Sequence, residues 1–196
     1  MTTTKTKLLK TLAGYNRGLI SQPSDRQLIL DAIDHLEDEN PTPRATEASD
    51  LLAGDWRLIY TTSNSLLFID LPPLVRLGQI YQCIRPETSK LYNIAEVSGL
   101  LPGLDGLISV SATFTPVSEI RVNVKFQRWI VGLQQLLDYQ SPAELVEKIE
   151  SGNSVSALDL PIDERNQDNW LDITYLDEDV RIGRGHRGNL FVLAKD

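Results

Sequence analysis

The sequence "DWRLIYTT", residues 55–62, places Trp56, Leu58 and Tyr60 at every second position. A period of two puts these side chains on one face of an extended strand. The same alternation recurs in "LISVSATF" (107–114) and in "EIRVNVKF" (119–126). The pattern therefore predicts half-buried antiparallel strands after Gly54.

Less regular strand patterns occur at "RLGQIYQCI", "KLYNIAEV", "NWLDITYL", "DVRIGR" and "NLFVLAK", and turn sequences such as "LPGLDG" and "LDED" separate them. Together these segments predict about eight strands between Trp56 and Lys195. Eight consecutive antiparallel strands most simply form an up-and-down barrel. Such a barrel leaves no exposed strand edge and encloses room for one small apolar ligand. A filled barrel or a sandwich is the alternative.

Helical spacing of apolar residues predicts an N-terminal helical hairpin, with helices within 4–20 and 24–39. Ser24 and Gln27 fit a capping box for the second helix, and Asn40 with Pro41 ends it. A further helix is expected within 141–151, where Ser141, Pro142 and Glu144 form a start signal. We expect two units: 1–44, the hairpin and a connector, and 45–196, the barrel.

Composition narrows the classes of function. The chain has 196 residues, 41% of them apolar, and a formal charge of −8, which disfavours a general nucleic-acid binder because phosphate neutralisation needs a basic surface. Cys83 is the only cysteine, and His35 and His186 are far apart, so no zinc or disulfide pattern is present. We see no secretory signal in the first residues and expect a reducing compartment of cytoplasmic or stromal type.

Near the C-terminus, Gly183, Gly185 and Gly188 match the spacing G-x-G-x-x-G of dinucleotide-binding proteins. That motif needs a helix after its last glycine, but only eight residues follow Gly188 and they have a strand pattern. The segment is therefore predicted to be a glycine-rich turn that carries Arg184 and Arg187. These arginines either hold a carboxylate or phosphate headgroup or pair with the acidic turn 177–179.

Two long segments carry a family resemblance. "LLAGDWRLIYTTS" (51–63) and "WLDITYLDEDVRIGRGHRGNLFVLAKD" (170–196) resemble the opening and closing signatures of the plastid lipid-associated protein or fibrillin family, and the middle strands are similar as well. The resemblance covers roughly 45–196. It implies a lipocalin-like barrel that binds or carries quinones, carotenoids, fatty acids or other lipids at thylakoid membranes or lipid globules. The lack of a long transit peptide before the hairpin favours a cyanobacterial member.

The same resemblance implies no catalytic reaction, and no nucleophile and base have a diagnostic spacing. We therefore expect a protein that is not an enzyme and uses no cofactor or metal. Two alternatives remain open: a scaffold that binds an enzyme of isoprenoid or quinone metabolism, and a bilin-handling lyase on a lipocalin-like barrel.

The candidate ligand-binding residues are the aromatic side chains of the strands and the two arginines of the glycine-rich turn. They are Trp56, Tyr60, Tyr81, Phe114, Phe126, Trp170, Arg184 and Arg187.

The segment "NSLLFIDLPPLVRLGQ" is strongly apolar in a position between strands where a polar loop is expected. It is predicted to be a lid over the barrel mouth, a membrane or partner contact, or a loop tucked into the core. The residues predicted for the membrane or partner contact are Leu66, Leu67, Phe68, Ile69 and Leu74.

Overall fold

A computed structural model describes residues 3–20, 22–64, 66–67, 75–99, 101, 103–152, 157–165 and 167–196. Four α-helices occur in these residues: α1 (Thr3–Leu12), α2 (Pro23–Glu37), α3 (Ser49–Leu52) and α4 (Pro142–Glu150). The strands are β1 (Gly54–Thr61), β2 (Val75–Arg85), β3 (Lys90–Gly99), β4 (Gly106–Pro116), β5 (Arg121–Leu133), β6 (Leu158–Pro161), β7 (Asn169–Leu176), β8 (Val180–Gly185) and β9 (Leu190–Lys195).

Eight of these strands close into an antiparallel barrel, which confirms the predicted fold class. The strands pair in the order β4-β3-β2-β1-β9-β8-β7-β5, and the pairing of β5 with β4 completes the circle. The ninth strand, β6, was not predicted. It pairs with Arg128–Val131 in the second half of β5, whereas β7 pairs with the first half.

Because neighbouring strands are antiparallel, the connections fall into two groups. The connections β2–β3, β4–β5 and β7–β8 lie at one end, where α3 enters β1, and we call this the closed end. The connections β1–β2, β3–β4, β5–β7 and β8–β9 lie at the opposite end, which we call the open end. Leu66 and Leu67 of the β1–β2 connection and the glycine-rich turn are thus at the same end of the barrel.

The helices cover two outer faces of the barrel. Leu8 of α1 and Ile33 of α2 are fully buried against Val180, Ile182 and Val192 of β8 and β9. On another face, α4 buries Leu145 and Val146 in one cluster with Cys83 of β2 and Tyr92 of β3. Both faces of several strands are therefore apolar, which explains why their alternation is weak in the sequence.

The predicted helix boundaries need two corrections. The first helix ends at Leu12 rather than near residue 20, because Asn16, Arg17 and Gly18 adopt positive φ angles that a helix does not allow. The second helix has Gln22, not Ser24, as its N-cap, and the Gln22 backbone N–H donates to the Asp25 side chain at 2.9 Å. The predicted cap of α4 is confirmed, since the Glu144 backbone N–H donates to Ser141 Oγ at 3.3 Å.

Candidate functional site

The barrel encloses a cavity of about 570 Å³. Its wall is formed mainly by inward-facing apolar side chains, such as Ile80, Val110 and Phe191. At the closed end Leu52 of α3 lies against the cavity, and at the open end the lining includes His186, Arg187 and Asn189 of the β8–β9 connection. A concave apolar space of this volume is the usual form of a site for a small molecule.

Five of the eight predicted ligand-binding residues border this cavity: Tyr81, Phe114, Phe126, Trp170 and Arg187. The aromatic rings of Phe114 and Phe126 pack against the interior cluster that includes Val122 and Val124. The structure does not bring the other three, Trp56, Tyr60 and Arg184, to the cavity lining.

Trp56 and Tyr60 belong to the core. Trp56 is fully buried near the closed end, where its Nε1 donates to the Leu52 backbone oxygen at 2.9 Å. A β-bulge lies between Leu58, which pairs with Leu193, and Tyr60, which pairs with Val192. The bulge moves Tyr60 to the outer face, where it packs with α1 and α2, because one extra residue reverses the side-chain alternation.

Arg184 attaches α2 to the barrel rather than lying in the cavity lining. Its guanidinium is 2.5 Å from Glu37 Oε2 and 2.6 Å from Asp34 Oδ1, both on α2. Hydrogen bonds from Arg184 to Glu37 raise the pKa of the guanidinium above its ordinary value. The proposed pairing with the acidic turn does not occur either, since Asp177 and Asp179 each lie 2.7 Å from Lys5 Nζ of α1.

The mouth of the cavity carries polar and aromatic groups. Arg187 Nε is 3.2 Å from His186 Nε2. The Trp170 and His186 ring centroids are 6.3 Å apart in an edge-on arrangement. Outside the cavity lining, the Arg121 guanidinium carbon lies 3.8 Å from the Trp170 centroid. Tyr81 borders the cavity and also packs with the cluster beneath α4.

Sequence reasoning missed the polar residues of the cavity wall, among them Gln82, Asn93 and Arg181. Gln82 Nε2 donates to Asn93 Oδ1 at 2.9 Å, and an Arg181 Nη2–H donates to Gln82 Oε1. Burial lowers the pKa of the Arg181 guanidinium to about 9, so it remains charged at neutral pH. A sequence signal existed for the first two, because Gln82 lies between Ile80 and Ile84 on the apolar face of its strand, where a polar residue is unusual.

The apolar β1–β2 connection is described at Leu66 and Leu67. Leu66 lines the cavity and packs with the interior cluster, and Leu67 is only 3% exposed. For these two leucines, burial favours a lid or a loop tucked into the core over an exposed patch. Phe68, Ile69 and Leu74 lie outside the described residues, so their membrane contact stays a prediction.

A second apolar surface lies at the open end, where β6 extends the β4–β5 wall. It consists of the cross-strand pairs Trp129–Leu160 and Val131–Leu158, which are 38% to 59% exposed and which we call the apolar apron. Directly paired residues share a face of the sheet. Since Val110 pairs with Trp129 and Ile108 with Val131, the apron continues the cavity wall outward.

Within the described part of the chain, no three His, Cys, Asp or Glu side chains are grouped closely enough to hold a metal ion. Among the same residues, no helix is both long and apolar enough to cross a membrane.

The closed antiparallel sheet and its apolar cavity place the protein in the class of hollow antiparallel β-barrels. The family model PAP_fibrillin matches residues 2–194, and the chain belongs to this fibrillin or plastid lipid-associated family. No solved structure matches it significantly.

Relatives from plants are similar over nearly the whole chain. The chain is 36% identical to "Light-induced protein, chloroplastic" of Solanum tuberosum, over 98% of this chain and 67% of the relative. It is 34% identical to "Probable plastid-lipid-associated protein 2, chloroplastic" of Arabidopsis thaliana, over 98% and 70%. It is also 34% identical to "Chromoplast-specific carotenoid-associated protein, chromoplastic" of Cucumis sativus, over 98% and 67%. The cyanobacterial origin stays a prediction.

Proposed function

We propose that the protein binds or carries one small hydrophobic molecule inside its barrel, without catalysing a reaction on it. The observation that carries this proposal is the apolar cavity of about 570 Å³ within a closed sheet. Candidates are a quinone, a carotenoid, a fatty acid or another lipid. The names of the relatives, which refer to lipid and to carotenoid, support this choice.

The apolar apron supports a location on the surface of thylakoid membranes or lipid globules. An apolar ligand crosses water at a large cost in free energy, so a carrier gains from an apolar path between the lipid phase and its cavity. The apron forms such a path, because its side chains continue the cavity wall at the open end. Contact with lipid through this end would expose the cavity to the ligand.

The direct test is extraction of the purified protein with organic solvent, followed by mass spectrometry, together with a binding assay that uses a fluorescent hydrophobic dye. A bound apolar molecule and saturable dye binding are expected. Val110→Trp adds a large ring to the middle of the cavity wall and should lower dye affinity by about 10-fold or more, which corresponds to ~1.4 kcal/mol.

Leu28→Trp is the matched control, because Leu28 is an exposed residue of α2 outside the cavity lining. It should bind the dye like the unmodified protein. If no extract contains a ligand and Val110→Trp binds dye normally, the cavity is not a binding site and the proposal fails.

A further inference from the structure

The most unusual group in the cavity is the arginine at its inner end. Arg181 is the second residue of β8, next to the closed end, and only 2% of its surface is exposed. It pairs with Leu193, which in turn pairs with Leu58, and all three line the cavity. The guanidinium carbon lies 5.3 Å from the centroid of the buried Trp56 ring.

This guanidinium has too few partners for a buried cation. Among the described residues it donates one hydrogen bond, to Gln82, and its Nε–H has no acceptor. None of the ion pairs between described residues includes Arg181. A buried charge without a counter-ion is strongly unfavourable, because it has lost its hydration and gained no equivalent interaction.

On the inner face of the sheet, the side chains near Arg181 are polar and those farther away, toward β6, are apolar. Directly paired residues form a row across six strands: Trp56, Gln82, Asn93, Val110, Trp129 and Leu160. The row begins beside Arg181 and ends on the apolar apron. Its five steps between strands span about 24 Å along the sheet.

This arrangement matches an amphiphile with one anionic group and a long hydrocarbon chain. The planar guanidinium offers parallel N–H donors that fit the two oxygens of a carboxylate. The Asn93 and Gln82 amides can solvate the same headgroup, while the apolar remainder of the row suits the chain. A singly charged headgroup balances the single cation at this depth.

Resting on the proposed function, we infer that the ligand is a long-chain fatty acid, which binds head first with its carboxylate on Arg181 and its methyl end toward the open end. The pocket thereby selects the ionised acid over uncharged lipids of the same length.

The first experiment compares palmitate with its methyl ester by dye displacement in the unmodified protein and in Arg181→Met. Palmitate should lose about 10-fold to 100-fold in affinity in the variant, because a hydrogen bond to a charged group is lost, and the ester should lose little. Arg181→Lys keeps the charge and should retain part of the selectivity. Arg57→Met is the matched control, since Arg57 pairs with Asp196 outside the cavity lining, and it should change neither affinity.

Asp70 is the one carboxylate of the sequence outside the described residues. Asp70→Asn therefore tests whether the chain itself supplies the counter-ion. The inference requires that this variant prefer palmitate over the ester as the unmodified protein does. A clear gain in palmitate affinity in Asp70→Asn would instead show that Asp70 occupies the arginine, and would overturn it.

The outcomes separate the inference from the proposed function. If palmitate and its ester bind equally and Arg181→Met changes neither, the head-first carboxylate site is wrong while hydrophobic carriage survives. If neither ligand nor dye binds, both proposals fail.

A second measurement needs no substitution and decides the matter if Arg181→Met does not fold. Stearate carrying a nitroxide either near its carboxylate or near its methyl end is bound to the unmodified protein, and a water-soluble paramagnetic relaxant is added. Head-first binding predicts that the label near the methyl end is the more accessible one. The opposite order would overturn the inference.

Discussion

At the scale of single residues, Asp177 shows how one carboxylate joins the hairpin to the barrel. It lies 2.7 Å from Lys5 Nζ of α1 and accepts a hydrogen bond from the Tyr175 hydroxyl at 2.6 Å. Its other oxygen accepts the backbone N–H groups of Asp179 and Val180 at 2.8 and 2.7 Å. Burial alone would raise the pKa of Asp177, but Lys5, Tyr175 and the backbone donors outweigh burial and hold this pKa below its ordinary value.

Asp177→Asn should therefore reduce the free energy of unfolding at neutral pH by about 2–3 kcal/mol. The folded-state pKa lies below the unfolded value of about 3.9, so this contribution is complete above that value and is lost as the pH falls through the folded-state pKa. Urea unfolding at neutral pH and near pH 3 should show the difference between the two proteins shrinking in acid.

Asp163→Asn is the control for this comparison, because Asp163 pairs with its exposed neighbour Arg165. Its effect on the free energy of unfolding should be small, because solvent screens an exposed ion pair. A difference between unmodified protein and Asp177→Asn that is independent of pH would contradict the assigned role of the carboxylate.

At the scale of elements, β6 pairs with the second half of β5, and the two strands together form the apolar apron. Trp129 would be at a strand edge without Leu160, and together they form an exposed apolar pair. This surface adds to the predicted contact at 66–74, of which Leu66 lines the cavity and Leu67 is buried.

Replacing both Trp129 and Leu160 by Ser should weaken binding to neutral liposomes. Each half-exposed side chain contributes about 1 kcal/mol when lipid covers it, so the loss should be ~2 kcal/mol, or roughly 30-fold in the partition coefficient. Liposome flotation measures the partition, and thermal unfolding verifies that the variant stays folded.

The matched control is Leu28→Ser with Val117→Ser. These residues are 65% and 52% exposed, on α2 and in the β4–β5 turn at the closed end. The control protein should float with liposomes like the unmodified one. If both double variants lose binding equally, the apron is not the lipid contact.

At the scale of the whole molecule, the formal charge of −8 disfavours electrostatic binding to anionic lipid surfaces. General attraction to anionic headgroups needs basic clusters, so the proposed lipid contact through the open end depends on apolar burial. Binding to liposomes that contain anionic lipid should therefore not fall between about 0.05 and 0.5 M salt, where screening of surface charges changes strongly. A steep decrease with salt in the flotation assay would indicate a basic contact surface instead.

The strands of the barrel could be predicted because strand periodicity and turn sequences are local properties. "DWRLIYTT" and "EIRVNVKF" alternate as strands do, and they occur as β1 and β5. The strand β6 could not be predicted in the same way. Its sequence "LDLP" is short, and all four residues are exposed to solvent although the strand pairs with β5. A strand of this kind exists because a neighbour offers free backbone groups, which a local pattern does not reveal.

The candidate site was predictable only in part for the same reason. Phe114 and Phe126 follow the alternation and line the cavity, whereas Tyr60 is moved outward by a bulge that no sequence pattern announces. Which arginine enters the cavity was equally open, since Arg181 and Arg184 are three residues apart on one strand and therefore face opposite sides.

The sequence by itself determined the class of structure, the family and the acidic charge, because these depend on composition, on local periodicity and on long matching segments. The closure of the sheet, the hollow interior and the roles of Arg181 and Arg184 were decided only by the tertiary structure. These properties depend on strand register, and a shift of one residue, such as the bulge at Tyr60, exchanges inside for outside. Register is fixed by contacts between residues far apart in the chain, and therefore the buried arginine became visible only in the folded barrel.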